Sequence, residues 1–498
     1  KNKIYYMSVW RVKPVSAFEA DMKKNDLKRV LTRWGLTSLG IGAIIGGGIF
    51  TLTGIAAHDY AGPALALAFV IAGIGCLFAS LCYAEFASVL PVEGSAYAYA
   101  YGTVGELFAW FIGWNLILEY MMGATTVAVA WSGYFVKLLH LFGIEFPIWL
   151  CNDMATATEK SLAANLAAPS FAFNLPAFLI TWVVTAILVK GIKEAAKTNN
   201  IIVIIKIAVV LFVIIVGAFY VKTENWVPFI PDEIPALDEL GNATGKMNFG
   251  FGGVLTAATI VFFAYIGFDA VSTQAGEAIN PKKDVPFAIV ASLIICTVLY
   301  ILVSLVLTGM VKYTELDRAA PVASAFSGIG INWAVFIITI AATAGLTSVM
   351  LVMMLGQTRI FLGMAKDGLM PAFFKVLHPV FKTPYKSTIL VGGLISLVAA
   401  FTPIERVSEM CSMGTLLAFA MVCVAVMILR YKKPELERPY KTPAVYLVGT
   451  LGVAFNLFLM TQVRAATWNF FLIWGVLGVI VYFIYGKRNS NLEKQGIE

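Results

Sequence analysis

Charge is scarce in this sequence. Only 13% of its 498 residues are Asp, Glu, Lys or Arg, where a soluble domain carries about a quarter. With 59% hydrophobic residues and a mean hydropathy of +0.83, lipid is the solvent for much of the chain. Histidine is scarcer still. His58, His140 and His378 stand apart, near the ends of apolar runs, so no shared metal site is expected. The six cysteines show neither CxxC nor metal-ligand spacing. Cys76, Cys82, Cys296, Cys411 and Cys423 fall in apolar runs and read as small hydrophobes; Cys151 alone falls in a candidate outside loop. No nucleophile–base set appears, so an enzyme is not expected. The net charge of +7 comes in short bursts between apolar runs, a pattern of cytoplasmic loops and not of a nucleic-acid face. A cleavable signal peptide is not visible: the first 35 residues are polar and basic, with an amphipathic piece at 18–30.

Apolar runs are what the chain has in abundance. A span needs ~20 such residues to cross ~30 Å of hydrocarbon. Twelve runs qualify: 37–57, 62–88, 105–140, 173–190, 197–221, 250–278, 285–311, 330–363, 387–403, 406–430, 444–463 and 467–486. With the N-terminus inside, the inside segments hold 26 Lys and Arg and the outside loops seven, so both termini are placed in the cytoplasm. The expected fold is an all-α integral membrane protein with 12 transmembrane helices.

Two spans are expected to break. Span 1 contains "IGAIIGGGIF", and Gly46, Gly47 and Gly48 are poor helix material, each costing up to ~1 kcal/mol relative to Ala. If the helix unwinds there, its outer half starts with free N–H groups and a positive dipole end, suited to a carboxylate. Span 6 contains "FFAYIGFDAVSTQAGEAINP", with Gly267 before Asp269. Its outer half then ends near residues 263–266 with free carbonyls, suited to an ammonium. Together the two ends describe an α-amino acid. Spans 1 and 6 enter from opposite sides, so 37–221 and 250–430 form a 5+5 inverted repeat with discontinuous helices 1 and 6. Segment 1–36 is then cytoplasmic, 222–249 an extracellular loop, 431–486 two extra helices and 487–498 a cytoplasmic tail. The alternative for these glycines is close helix packing through small-xxx-small spacing.

Ionisable residues inside the spans are costly and mark candidates. Glu119 lies ~21 Å into span 3 at helical rise, near the midplane; it lines a site, carries a proton, or bonds a neighbouring helix as a neutral carboxyl. Lys206 sits in "IIVIIKIAVVLFVIIV", where burial without a partner disfavours its charged form and suits proton coupling; snorkelling to the inner edge is the rival reading. Asp269 would hold Lys206 or the substrate ammonium. Arg359 is a gate or an interfacial anchor. Glu85 and Glu277 read as solvated span ends. Met350, Met353 and Met354 cluster in span 8, as packing or as a pocket wall.

The chain resembles the cationic amino acid transporter family of the amino acid–polyamine–organocation superfamily, as a twelve-span bacterial-type member, over about residues 30–445. The motifs are "GIGAIIGGGIF", "CYAEFASVLPVEGSAYAYAY", "FFAYIGFDAVSTQAGEAINP", "GQTRIFLGMAKDGLMP" and "ILRYKKPELERPYKTP". The resemblance implies that backbone amides around Ile45, Gly46, Gly47, Gly48 and Ile49 hold the substrate carboxylate, and that carbonyls of Phe263, Ala264 and Ile266 hold its amine. It implies that Glu119, Asp269, Tyr300 and Met353 line or close the site, with Met353 near the substrate side chain. Lys206 matches a lysine standing where sodium-coupled relatives hold a cation, which favours proton coupling. Gly47 departs from the Thr or Ala of many relatives, the acidic pair before "NP" is reduced to Gly276–Glu277, and loop 141–172 is long.

The expected function is a proton-coupled importer of small to medium neutral L-amino acids, working by alternating access in the plasma membrane, with the proton as coupling ion and neither cofactor nor metal. The rivals are a cationic amino acid transporter, an exchanger, the light chain of a disulfide-linked heteromer through Cys151, a partner of a single-span subunit, and a membrane nutrient sensor. Lipid, specific lipids included, is the other expected partner. Asn242–Ala243–Thr244 forms a glycosylation sequon in an outside loop.

Overall fold

The structure is a computed structural model that describes residues 11–14, 31–89, 95–191, 195–237, 243–272 and 278–494. Among these, nine helical runs are long and apolar enough to cross a membrane, and two shorter apolar helices, Leu175–Lys190 and Tyr385–Phe401, join them. The longest run, Gly48–Val89, is two crossings and not one. Gly62 adopts φ +57 and ψ −140, a conformation open chiefly to glycine, and Pro63 follows it, so the chain reverses there. Counting that reversal gives twelve spans.

Span 1 runs over Arg33–Ile44 and resumes at Gly48. Spans 2 to 5 are Leu65–Val89, Glu106–Leu141, Leu175–Lys190 and Ala195–Ala218. Span 6 is Gly250–Val261 extended by a tighter turn, Phe262–Tyr265. Spans 7 to 12 are Pro281–Met310, Asn332–Lys366, Tyr385–Phe401, Ile404–Lys432, Val445–Gln462 and Ala465–Val481. The starts are capped as the sequence allows: Thr32 accepts the Gly35 N–H at 3.2 Å, and Asn174 accepts the Ala177 N–H at 3.2 Å and the Ser132 hydroxyl at 2.6 Å. Span 7 begins four residues before its expected start, with Pro281 in the first turn where its missing N–H costs nothing.

The most extensive interfaces join span 3 to span 8 and span 2 to span 7, and span 4 also packs along span 9. In each of these pairs the two members stand five spans apart in the chain. Segment 222–249 contains a small two-stranded antiparallel hairpin, Ile234–Leu237 with Ala243–Asn248, beside the otherwise helical chain. Loop 141–172 folds into a short helix, Met154–Ala163, whose first turn is capped by Asp153. Asn242, Gly276, Glu277 and the piece at 18–30 lie outside the described residues.

Two buried acids tie span ends together. Glu106, at the start of span 3, accepts hydroxyls from Tyr101 (3.3 Å), Tyr482 (3.1 Å) and Ser490, so the end of span 12 is held to span 3. Glu85 is not a solvated span end. It is fully buried, chelated by Arg430 at 2.6 and 2.8 Å, approached by Arg438 at 3.3 Å, and takes the Thr442 N–H at 2.8 Å. A carboxylate in hydrocarbon survives only with such partners.

Replacing Glu85 with Gln leaves two guanidinium groups facing a neutral amide. We expect a loss of about 3 kcal/mol, read as a fall of several degrees in apparent melting temperature of the purified protein. An unchanged melting temperature would show that the pair contributes nothing to the fold.

Candidate functional site

The inner half of span 1 stops at Ile45, which turns to φ −70, ψ 105 after its N–H reaches the Ile41 carbonyl at 2.9 Å. A helix ending this way leaves its last carbonyls without helical donors. Here side chains supply them. The Lys206 ammonium, fully buried on span 5, donates to the carbonyls of Gly42 at 2.6 Å and Ile45 at 3.1 Å. The Tyr300 hydroxyl, from span 7, lies 2.8 Å from the Ile44 carbonyl and 2.9 Å from the Ala264 carbonyl. Its one proton is shared between spans 1 and 6. The positive ammonium at the negative end of the inner half-helix is the favourable pairing. The Lys206 stem passes against Gly345 of span 8, where a Cβ would stand 3.0 Å from its Cγ.

On the other side of the break the chain is unpaired. Among the described residues, no group accepts from the N–H of Gly46, Gly47, Gly48 or Ile49; the next donor, Phe50, reaches the Gly46 carbonyl at 3.2 Å. The outer half then winds loosely, as π-type turns at Gly48–Leu52 and Ala56–Ala61 around Thr53–Ile55, and not as the regular α-helix expected. The Phe50 carbonyl takes the Tyr134 hydroxyl at 2.5 Å.

Span 6 breaks at the same level. Ile266 is extended (φ −62, ψ 132), its N–H reaches the Phe263 carbonyl at 3.2 Å, and Gly267 takes φ +121. The two breaks touch at two glycines. A Cβ on Gly48 would fall on the backbone of Ala264, and one on Gly267 would meet the backbone of Ala43 at 2.9 Å. The glycines therefore serve both readings that the sequence left open, interruption and close packing.

Around the unpaired N–H groups the walls are apolar. Gly47 faces Leu346, Ala130 and Val127, and Gly46 faces Val349. Met353 lies farther along span 8, where its Sδ would stand 2.6 Å from a Cβ on Gly123. Glu119 precedes Val127 by eight residues, about 12 Å nearer the start of span 3 at helical rise. The structure thus puts Glu119 one layer inward of the breaks, fully buried, with neither carboxyl oxygen hydrogen-bonded. The adjacent Tyr120 donates to Asp269 Oδ2 at 3.3 Å, and Asp269 Oδ1 has no partner. Asp269 does not hold Lys206, one of its two expected roles; span 1 carbonyls do. Arg359 is exposed, as an interfacial anchor would be.

Sequence reading missed an ion-pair cluster that joins three segments between spans. Arg318, between spans 7 and 8, grips Asp59 at 2.6 Å and Glu159 at 2.6 Å, joining the outer half of span 1 to the helix in loop 141–172. Opposite charges in separate outside loops were the only signal. Cys151 is a free, half-buried thiol donating to the Pro147 carbonyl at 3.3 Å, and burial pushes its pKa up, which disfavours the reactive thiolate. Among the described residues no group of His, Cys, Asp and Glu could hold a metal.

The amino acid permease family matches residues 31–484. The branched-chain amino acid permease BcaP of Bacillus subtilis is 44% identical over 489 residues, 98% of this chain and 99% of that protein. The methylthioribose transporter of the same organism is 42% identical over 487 residues, 98% of this chain and 100% of that protein. The vacuolar cationic amino acid transporter 4 of Arabidopsis thaliana is 37% identical over 418 residues, 83% of this chain and 66% of that protein.

The glycine contacts separate two substitutions. Gly47→Ala adds a methyl at ordinary contact distance and should retain substrate binding within about threefold. Gly48→Ala must push Ala264 away, and should lose binding at least tenfold, measured as ligand-dependent thermal stabilisation. Equal effects would show that the two breaks do not need to touch.

Proposed function

The chain belongs to the amino acid permease family, within the amino acid–polyamine–organocation superfamily, and on that premise we propose that it imports small to medium neutral L-amino acids across the plasma membrane by proton-coupled alternating access, with both termini in the cytoplasm. One observation carries this reading. The unpaired N–H groups of Gly46–Ile49 stand at the positive end of a half-helix, beside the apolar side chains of Val127, Ala130, Leu346 and Val349. The amides suit a carboxylate, and the walls suit an aliphatic side chain. The carbonyls of the span 6 break, at Phe263, Ala264 and Ile266, receive the ammonium, with Tyr300 positioned to yield Ala264 to it. The naming of one full-length relative as a branched-chain amino acid permease accords with this.

The repeat units are 37–221 and 250–430, and the close pairing of spans 2 with 7 and 3 with 8 supports them. Entry requires the Arg318 bonds to part on the outside. Exit requires the inner halves of spans 1 and 6 to separate from their contact at Ala43 and Gly267. Lys206 links the second step to a proton. While it bonds the span 1 carbonyls its charge is compensated; when the inner half swings away the ammonium loses both acceptors, and releasing the proton removes an unpaired buried charge. The amino acid is the cargo, and no cofactor takes part.

A cationic side chain is the second reading, because both carboxyl oxygens of Glu119 and Oδ1 of Asp269, which have no partner among the described residues, lie just inward of the breaks. Their distance from the amides suits a long basic side chain better than a short one. Uptake of radiolabelled compounds into proteoliposomes, with an inward proton gradient, separates the readings. Leucine, valine and alanine should accumulate. Arginine should not, and neither should methylthioribose, which has no carboxylate for the amides. Uptake of arginine alone would establish the cationic reading; accumulation confined to preloaded vesicles would establish exchange; binding without flux would establish a sensor.

A further inference from the structure

The segment "ILRYKKPELERPYKTP", residues 428–443, takes no part in the transport cycle described above, yet it is built with care. Arg438 is buried and donates to the carbonyls of Leu436 at 2.7 Å, Lys433 at 2.7 Å, Pro434 at 3.1 Å and Leu429 at 3.4 Å. Arg430 chelates Glu85, and the Thr442 hydroxyl bonds the Leu81 carbonyl at 2.9 Å. The turn after span 10 is thereby fixed to span 2 as a rigid shelf at the cytoplasmic end of the bundle.

A cleft of about 500 Å³ opens beside that shelf, walled by Val104, Met427, Ile428 and Tyr446, with Tyr431 and Lys432 also lining it. Tyr446 also borders a second, more polar cleft of about 540 Å³, reaching Arg430, Arg438 and Lys441. Segment 430–441 carries five cations against two acids, Glu435 and Glu437. Arg430 and Arg438 share Glu85, whereas Lys432, Lys433 and Lys441 make no ion pair among the described residues. Tyr431 is 81% exposed at the end of span 10, and Tyr446 is exposed at the start of span 11, the level where aromatic residues meet headgroups.

We propose that this paired cleft binds an anionic phospholipid of the cytoplasmic leaflet, with an acyl chain along Val104, Met427 and Ile428 and the phosphate against Lys432 and Lys441. Basic clefts between spans on the cytoplasmic side suit anionic headgroups. A small soluble anion would leave the apolar half of the cleft unused, and a zwitterionic lipid would leave the unpaired lysines uncompensated. Glu435 and Glu437, both exposed in the polar cleft, direct the phosphate toward the lysines and away from the outer turn.

The test is the melting temperature of the purified full chain in neutral detergent, with added phosphatidylglycerol, phosphatidylcholine or inorganic phosphate, alongside native mass spectrometry of retained lipid. Phosphatidylglycerol should raise the melting temperature by several degrees and remain bound; the other two should not. The K432E/K441E variant should weaken the lipid effect at least tenfold while keeping stabilisation by amino acid, and K432R/K441R should restore it. Ile428→Trp, which fills the apolar cleft with the lysines intact, should also abolish it and decides the matter if the charge reversal does not fold. Equal stabilisation by phosphatidylcholine or by phosphate alone, or an undiminished phosphatidylglycerol effect in both K432E/K441E and Ile428→Trp, would overturn the proposal.

Discussion

A helix that stops inside hydrocarbon must find partners for its last carbonyls, and the bond from the Lys206 ammonium to Gly42 and Ile45 is how this chain meets that demand. Everything around it follows. The inner half of span 1 ends because Gly46, Gly47 and Gly48 contribute little to helix stability, and it can end there because Lys206 and Tyr300 take up the carbonyls of Gly42, Ile44 and Ile45. The facing N–H groups receive no such provision. That asymmetry, one end capped by the protein and the other left open, is what the proposed carboxylate site rests on.

The same glycines set how the moving parts meet. Gly48 lies on Ala264 and Gly267 on Ala43, so each break is the other's packing surface, with nothing larger than an alanine methyl at the contact. Dispersion falls off steeply with a gap of even an ångström, so in the proposed cycle such contacts would act as an on-or-off latch between spans 1 and 6. Lys206 adds charge to that mechanical step: its acceptors belong to span 1, its stem runs past Gly345 of span 8, and any rotation of the inner half-helix changes what the ammonium touches. Spans 3 and 8, extensively paired, would be the wall against which the proposed step takes place.

The breaks were legible in the sequence because glycine is conspicuous inside an apolar run, and Lys206 because charge is. The acceptors of Lys206 were not legible, since every residue has a carbonyl and only geometry shows which one is spare. Glu85 was misread for a related reason: Arg430 lies 345 residues away, and position near a span end suggested solvent. The hairpin in 234–248 was hidden because its strands are short and do not alternate, one of them being the apolar, proline-containing IPAL, and the π-type winding within Gly48–Ala61 because its backbone angles leave no mark in the sequence. Arg318 was counted as a topological charge in an outside loop, and only the fold brings Asp59 and Glu159 to it.

The central claim is that one ammonium both caps the broken helix and carries the coupling proton. It is tested most directly by comparing gradient-driven accumulation with counterflow in proteoliposomes for the wild-type protein and Lys206→Ala. Gradient-driven accumulation should fall at least tenfold in the variant, with counterflow reduced by no more than a few fold. Accumulation that survives unchanged at the same proton gradient would contradict the account.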